Sequence, residues 1–546
     1  MIRRAIGALA IASASAPLLL GAVVEAVRRP LLFLDGDFAI DELALNRSAH
    51  LTQLVGNYSR FGWSHPGPSW FYALDFVYAP FGRPSWAFVA GMLLLNGIAS
   101  GLVVAVAWRA RGAILAVVAS ALLLLYQGGI GEILFRDPWP PYAVILPMAL
   151  LVVLAAAGAA GSNSSLAWTL VAASYLSQTH IGTTPTVAAM FAAAAAIRIV
   201  RALAARRDGG LRAQPAGRAD RVLVVAGVAL AALMWMPPLV DELTGRPGNL
   251  TLIWQFFTTP HPTHRYLAAL SVLGRFLSVV QLGSLGTLNS QDLAAVSAAN
   301  LVYAAAAAIA FTGLALAGWV AKDRFALSIG VILCAALPAI TVSIHEVVGP
   351  VYAYLLLWVS TLPLVAGLGW ASLLVRLAWP SRLRGRAADQ VAQTAAAMVM
   401  VALSVVRFSA ELNLPPPHAS TPDTVQAWRL TSAALADQTP QPLLLELHEP
   451  DTWILAAGLA LQLVKSGYTV HVEPDMLFEY GDQSRETGAE RLALVVVDAA
   501  DKDAYQSAFP DARLVGTTAQ HSLYLARPPN DLAPPGWGST HSFTGS

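Results

Sequence analysis

The sequence predicts an α-helical polytopic membrane protein of about eleven transmembrane helices, with a small C-terminal α/β domain outside the membrane. Three observations predict it. Charged residues are 12% of the 546, about half the roughly 25% usual for soluble domains, while 56% are hydrophobic and mean hydropathy is +0.57. Apolar windows of about 20 residues, long enough to cross a bilayer, recur as far as residue 408. Beyond it, short apolar runs alternate with helix-like segments, the mark of an α/β layer.

The windows fall at 5–25, 85–108, 112–127, 142–160, 165–180, 184–203, 222–240, 300–320, 325–344, 352–375 and 391–408. The first follows Arg3 and Arg4 like a secretory leader, but it is long for a leader's apolar core and reads as an uncleaved first helix. With the N-terminus in the cytoplasm, the inside loops are "RAR" (Arg109, Arg111), "GSNSS", residues 198–221 with seven arginines against two aspartates, "KDR" (Lys322, Arg324) and Arg376–Arg386. All but "GSNSS" are basic, as the positive-inside rule requires; Arg28 and Arg29, on the other side, are the exception.

The outside face receives residues 26–84, 127–142, 177–185, 241–299, 345–350 and everything after 408. All the membrane part's histidines (His50, His65, His180, His261, His264, His345) lie there, with Trp63, Trp70, Trp139 and Trp254. Diverse chemistry on one side marks the working face as extracytoplasmic. A net charge of +1 points to no nucleic acid, and the single cysteine, Cys334, excludes an internal disulfide and a cysteine metal site.

The chain divides into a membrane part, 1–410, a linker and helix, 411–440, an α/β domain, 441–530, and a disordered tail, 531–546. In the linker, Ser420 or Thr421 is placed to cap a helix opened by Pro422. "PLLLELHE", "YTVHVEP", "LALVVVDA", "ARLVGTT" and "HSLYLARP" read as strands, with helices at 450–467 and at "DKDAYQSAF". Glu446, His448 and Glu449 end the first strand; without a Gly-rich phosphate loop they read as ordinary strand-end polar residues.

"LDGDFAIDELALNR" sets Asp35, Asp37, Asp41 and Glu42 within eight residues at the edge of the lipid. Like charges beside low dielectric raise one another's pKa, which suits a general base or a metal ligand. The segment continues into "NYSRFGWSHPGPSWFYAL", an amphipathic stretch suited to the interface. Cationic groups recur in the outside loops: Arg60, Arg136, His180, Arg246, His264 and Arg265. Taken singly, Arg60 and Arg136 read as contacts to lipid headgroups and the histidines as interfacial polar residues; together on one face they form a site for an anion beside a base.

A short N-terminus, one span, a long outside loop opening with acids, many further spans and an outside C-terminal domain resemble the GT-C superfamily of integral-membrane glycosyltransferases. "GDFAIDEL", "YSRFGWSHPGPSWFY", "QTHIGT" and "PPLVDELTGRPGNL" resemble segments of actinobacterial proteins of that type, over residues 1–410. The resemblance implies a polyprenyl-phosphate-linked sugar donor, a cell-envelope glycan or lipid acceptor, and a first-loop acid as catalytic base. The matching positions are Asp37 and Glu42, with Asp35 and Asp41 as neighbours and no adjacent Asp-Asp pair. Asp37 is the expected base. Arg60, Arg136, His180, Arg246 and Arg265 are the expected phosphate ligands. Trp63, Trp70 and Trp139 are expected to offer faces to sugar, with His65 and His264 beside them. Carboxylates with His65 would also suit Mn²⁺ or Mg²⁺. The sugar stays open among arabinofuranose, mannose and others. The rival class is a transporter or lipid or glycan flippase; it is disfavoured because the windows carry no Asp, Glu or Lys away from their ends.

Overall fold

A computed structural model describes residues 2–207, 217–288, 291–378, 386–415, 421–449 and 452–528. The expected tail, 531–546, lies outside the described residues, as do parts of the basic loops at 198–221 and 376–386. All eleven apolar windows are helical. Among the described residues ten helices are long and apolar enough to cross a membrane. An eleventh arises if the pair Tyr266–Leu277 and Val279–Leu285, bent by 70°, counts as one span. The window at 165–180 forms the 17-residue helix Asn163–Thr179, at the lower limit for a span. The bent pair corrects the sequence reading, which left 241–299 as a loop. That stretch carries the helices Asn249–Thr258 and Tyr266–Leu277, whose runs are too short to show as a 20-residue window.

The first helix, α1 (Ile2–Arg28), is built into the bundle: Ala10, Ala14 and Leu18 are buried in its core. After it come α2 (Gly36–Ser48), α3 (Ser69–Tyr78) and then the long α4 (Ser85–Arg111). Helices α1 and α4 approach closely because α4 presents glycines, as lipid-embedded packing favours. A Cβ on Gly97 would lie 2.7 Å from Leu19 Cδ2, and one on Gly101 would overlap the Ser15 hydroxyl.

The C-terminal part is a five-stranded sheet with strands β1 (Pro442–Leu447), β2 (Thr469–Val472), β3 (Ala493–Asp498), β4 (Arg513–Thr517) and β5 (His521–Ala526) in the order β2-β1-β3-β5-β4. β1, β2 and β3 run parallel, and β5 is antiparallel to both its neighbours. Thr421 caps the helix Pro422–Ala434, accepting from the Thr424 amide. The helix Trp453–Lys465 packs against α2, and Gly458 permits it: a Cβ there would meet the Leu34 carbonyl at 3.0 Å.

A groove of about 2000 Å³ is lined by α3, α4 and the helices Ile145–Ala160, Asn163–Thr179 and Arg218–Met234. It is larger than the roughly 300–1,000 Å³ of a drug-sized pocket. Arg109, Lys322, Arg324 and Arg376 line it together with Ser162, so the basic loops meet at one end of the bundle. Ser69, Tyr72 and Asp75 line it beneath the first loop.

Candidate functional site

The four acids stand in four different environments. Asp35, in extended backbone before α2, accepts hydrogen bonds from Thr424 at 2.8 Å and Thr421 at 3.3 Å, fastening the first loop to the helix Pro422–Ala434. Glu42 is 0% exposed and accepts from the Tyr78 hydroxyl at 2.7 Å. It also takes the Lys465 ammonium, which donates to Ser85 at 2.7 Å as well. Asp41 is buried with neither oxygen hydrogen-bonded. Burial first, and then the Asp37 charge, hold its carboxyl well above the usual range, favouring the uncharged acid.

Asp37 differs from all three. It is half-buried, one helical turn before Asp41, and accepts from the Tyr58 hydroxyl. Burial, with the charges of Asp37 and Glu479, raises the Tyr58 phenol, so Tyr58 remains the donor. The Phe38 ring lies tilted 6.3 Å from Trp139, Trp139 stands 4.6 Å from Tyr354, and Tyr352 stacks on Tyr354 at 5.6 Å. The charges of Asp37 and Arg60 both act on Tyr354. The result is a carboxylate, three phenols, an indole and a guanidinium gathered from four chain segments.

The loops at this end of the bundle are knitted together. Residues 56–65 form a tight hairpin-like loop, with Gly56 donating to the His65 carbonyl at 2.8 Å and Ser59 to that of Trp63 at 2.9 Å. Asn249 clasps this loop from the far side: its side-chain oxygen accepts from the Ser64 amide at 2.7 Å and its nitrogen donates to the Ser64 carbonyl at 2.9 Å. Asp241 holds Asn249 in turn, accepting from its amide at 2.8 Å. Arg60 donates to the Val348 carbonyl at 3.1 Å and lies over the Phe61 ring. His264 reaches the Gly349 carbonyl at 2.8 Å, and its amide donates to that of His345 at 2.9 Å. These loops therefore converge at one end of the bundle, but not all the expected cations join them.

Several expected residues are committed elsewhere. Arg136 is buried in an ion cluster, paired with Glu25 and 3.8 Å from Glu411, so its charge is already matched. Trp70 is 1% exposed, packed on Phe71 and Phe88, and offers no face to a ligand. Trp63 is buried against Phe61, Phe256 and Phe257. His65 and His180 stack at 5.2 Å, and each ring Nδ1 accepts a backbone amide, from Ile181 and Gly182. Burial pushes His180 down to about 4 and His65 well below its usual value, so both rings are neutral at pH 7. His180 thus brings no cation; loop folding, not charge, explains it. Arg246 and Arg265 are exposed. The donor set imagined for Mn²⁺ or Mg²⁺ is not assembled: His65 faces His180 and the Ile181 amide, and among the described residues no group of three His, Cys, Asp or Glu stands where it would hold a metal ion.

Sequence reasoning passed over Tyr58, Gln178 and Asn249, although all three lie in the segments that carry the family resemblance. It selected charged residues and ignored the amides that pin the loops. Gln178, fully buried, accepts from the Ser69 hydroxyl at 2.5 Å and donates to the Met234 carbonyl at 2.9 Å. Lys465 and Glu479 gave no signal, being more than 400 residues from the acids they meet.

No family model and no curated protein matches the chain. Solved structures do. The crystal structure of ArnT from Cupriavidus metallidurans bound to undecaprenyl phosphate matches with a TM-score of 0.52 at 14% identity, over 95% of this chain and 97% of that one. The same protein in the apo state matches with a TM-score of 0.52 at 12% identity and the same coverage. The arabinofuranosyltransferase AftD from Mycobacteria matches at 15% identity with a TM-score of 0.38, over 96% of this chain and 40% of that one. Over 95% of its length, the chain has the fold of ArnT.

Proposed function

We propose that this protein transfers a sugar from a polyprenyl-phosphate donor to a cell-envelope glycan or lipid acceptor on the extracytoplasmic face, with Asp37 as general base. The observation that carries the assignment is the sorting of the acids: Asp35 and Glu42 are tied to the C-terminal region, Asp41 is sealed with neither oxygen hydrogen-bonded, and Asp37 is the first-loop acid at the aromatic and Arg60-bearing cluster. A solved ArnT of the same fold binds undecaprenyl phosphate, which supports a donor of that class. The groove beneath α3 offers an apolar bed for an isoprenoid tail.

In this reading the acceptor oxygen bonds to the anomeric carbon as its proton passes to Asp37. The bond from that carbon to the phosphate oxygen breaks, its electron pair leaving with the polyprenyl phosphate, and Arg60 offsets the charge. Trp139 and the tyrosines bound the sugar.

The test is release of polyprenyl phosphate by the full chain in nanodiscs, offered a panel of polyprenyl-phosphate sugars and envelope acceptors. Asp37→Asn should lower turnover about 10²–10⁴-fold while eluting as a folded monodisperse protein. Retained turnover in that variant would remove Asp37 from the role. No release from any donor, with movement of lipid between leaflets instead, would favour the flippase.

A further inference from the structure

The C-terminal sheet region does not merely rest on the membrane part; it reaches the Asp37 cluster. After β2 the chain makes the short helix Leu477–Tyr480, which packs against α2. Phe478 meets the Tyr58 ring edge-on at 5.8 Å. The next residue, Glu479, is 8% exposed, and its Oε2 has no hydrogen-bond partner among the described residues. The Glu479 carboxyl stands near enough to influence Tyr58, and Asp37 to influence Glu479. A buried carboxyl oxygen without a partner costs free energy unless something occupies the place beside it.

Charge balance says what that occupant is. A departing phosphate monoester carries nearly two negative charges, beside Asp37. Arg60 brings one positive charge, and the Tyr58 hydroxyl is spent on Asp37. The phosphate therefore needs a further donor, and an uncharged carboxyl is one.

We propose that Glu479, contributed by the C-terminal sheet region, belongs to the donor-phosphate site and gives a hydrogen bond from its neutral carboxyl to an oxygen of the departing polyprenyl phosphate. This rests on the glycosyl-transfer reading above. The bonds made and broken are those already described; the Glu479 proton stays on Glu479, and the acceptor's proton goes to Asp37. The protonation state is consistent: burial first, then Asp37 and Asp475, pushes Glu479 up to about 8. The titratable groups facing it are Asp37 from α2, Tyr58 from the first loop, and Asp475 and Tyr480 from its own segment, with Asp41 acting on Tyr58 from one turn further along α2.

The experiment is binding of undecaprenyl phosphate to the full chain in nanodiscs at pH 7 and pH 9. Wild-type affinity should fall about tenfold across that interval as Glu479 ionises. Glu479→Ala should be about tenfold weaker at pH 7 and lack that fall, since a hydrogen bond to a charged group is worth at least that factor. Glu479→Gln, which keeps a donor at every pH, should recover most of the affinity and hold it at pH 9. Should the alanine variant fail to fold, the glutamine variant's pH profile carries the test alone. Affinities and pH profiles of both variants matching wild type would overturn the role of Glu479 and leave Asp37 untouched. Absence of binding by the wild type at either pH would instead sink the donor class itself.

Discussion

Lys465→Met removes the ammonium that joins the sheet region to the acidic helix while keeping most of its apolar length. Glu42 is 0% exposed and would be left with one donor, Tyr78; its second oxygen has no hydrogen-bond partner already. Stripping one member from a buried pair costs about 3–5 kcal/mol. The Lys465 side chain is 23% exposed, so water enters and compensates in part, and about 2–3 kcal/mol is expected. That corresponds to a roughly 30- to 150-fold rise in local opening. Hydrogen exchange in nanodiscs should show it as lost protection in α2 and in Trp453–Lys465. The double variant Lys465→Met/Glu42→Gln should regain more than half of the loss, because no buried charge then lacks its partner. Protection in Lys465→Met within twofold of wild type, or a double variant worse than the single one, would refute the view that this pair holds the sheet region in place.

Tyr58→Phe deletes the hydrogen bond to Asp37 without disturbing the ring's contact with Phe478, and turnover should fall about ten- to hundredfold with little change in melting temperature; an unchanged kcat would take Tyr58 out of the site. The His65–His180 stack predicts acid sensitivity. The folded pKa of His180 is about 4 against 6.5 unfolded, so its contribution is fully present above pH 6.5 and is lost as pH falls toward 4. The loss amounts to about 3 kcal/mol, and melting curves from pH 7 to 4.5 should show His180→Gln losing less stability than wild type. Gly101→Leu should wedge α1 from α4, because its side chain meets Ser15 at the crossing; normal yield and melting temperature would contradict that packing.

How much of this was legible in advance follows from the range of each signal. Spans, basic loop ends and the strand–helix alternation after residue 408 are local patterns, set by burial in lipid or in a small core, and the helices and strands form where those patterns stand. Thr421 as a cap and Pro422 in the first turn were readable for the same reason. The bent helices within 241–299 were not, since neither half fills a 20-residue window and their packing supplies the missing stability. The acids could be found by composition but not ranked. Asp37, Asp41 and Glu42 share a type and a helix, and what separates them is burial and the reach of Tyr58, Tyr78 and Lys465 from distant segments. The sequence alone determined that an acid-bearing loop would sit at the membrane edge among polar loops. Only the tertiary structure decided which carboxyl is locked, which is sealed and which faces the cluster, because a carboxylate's state depends on its dielectric surroundings and partners, and those are brought to it by folding.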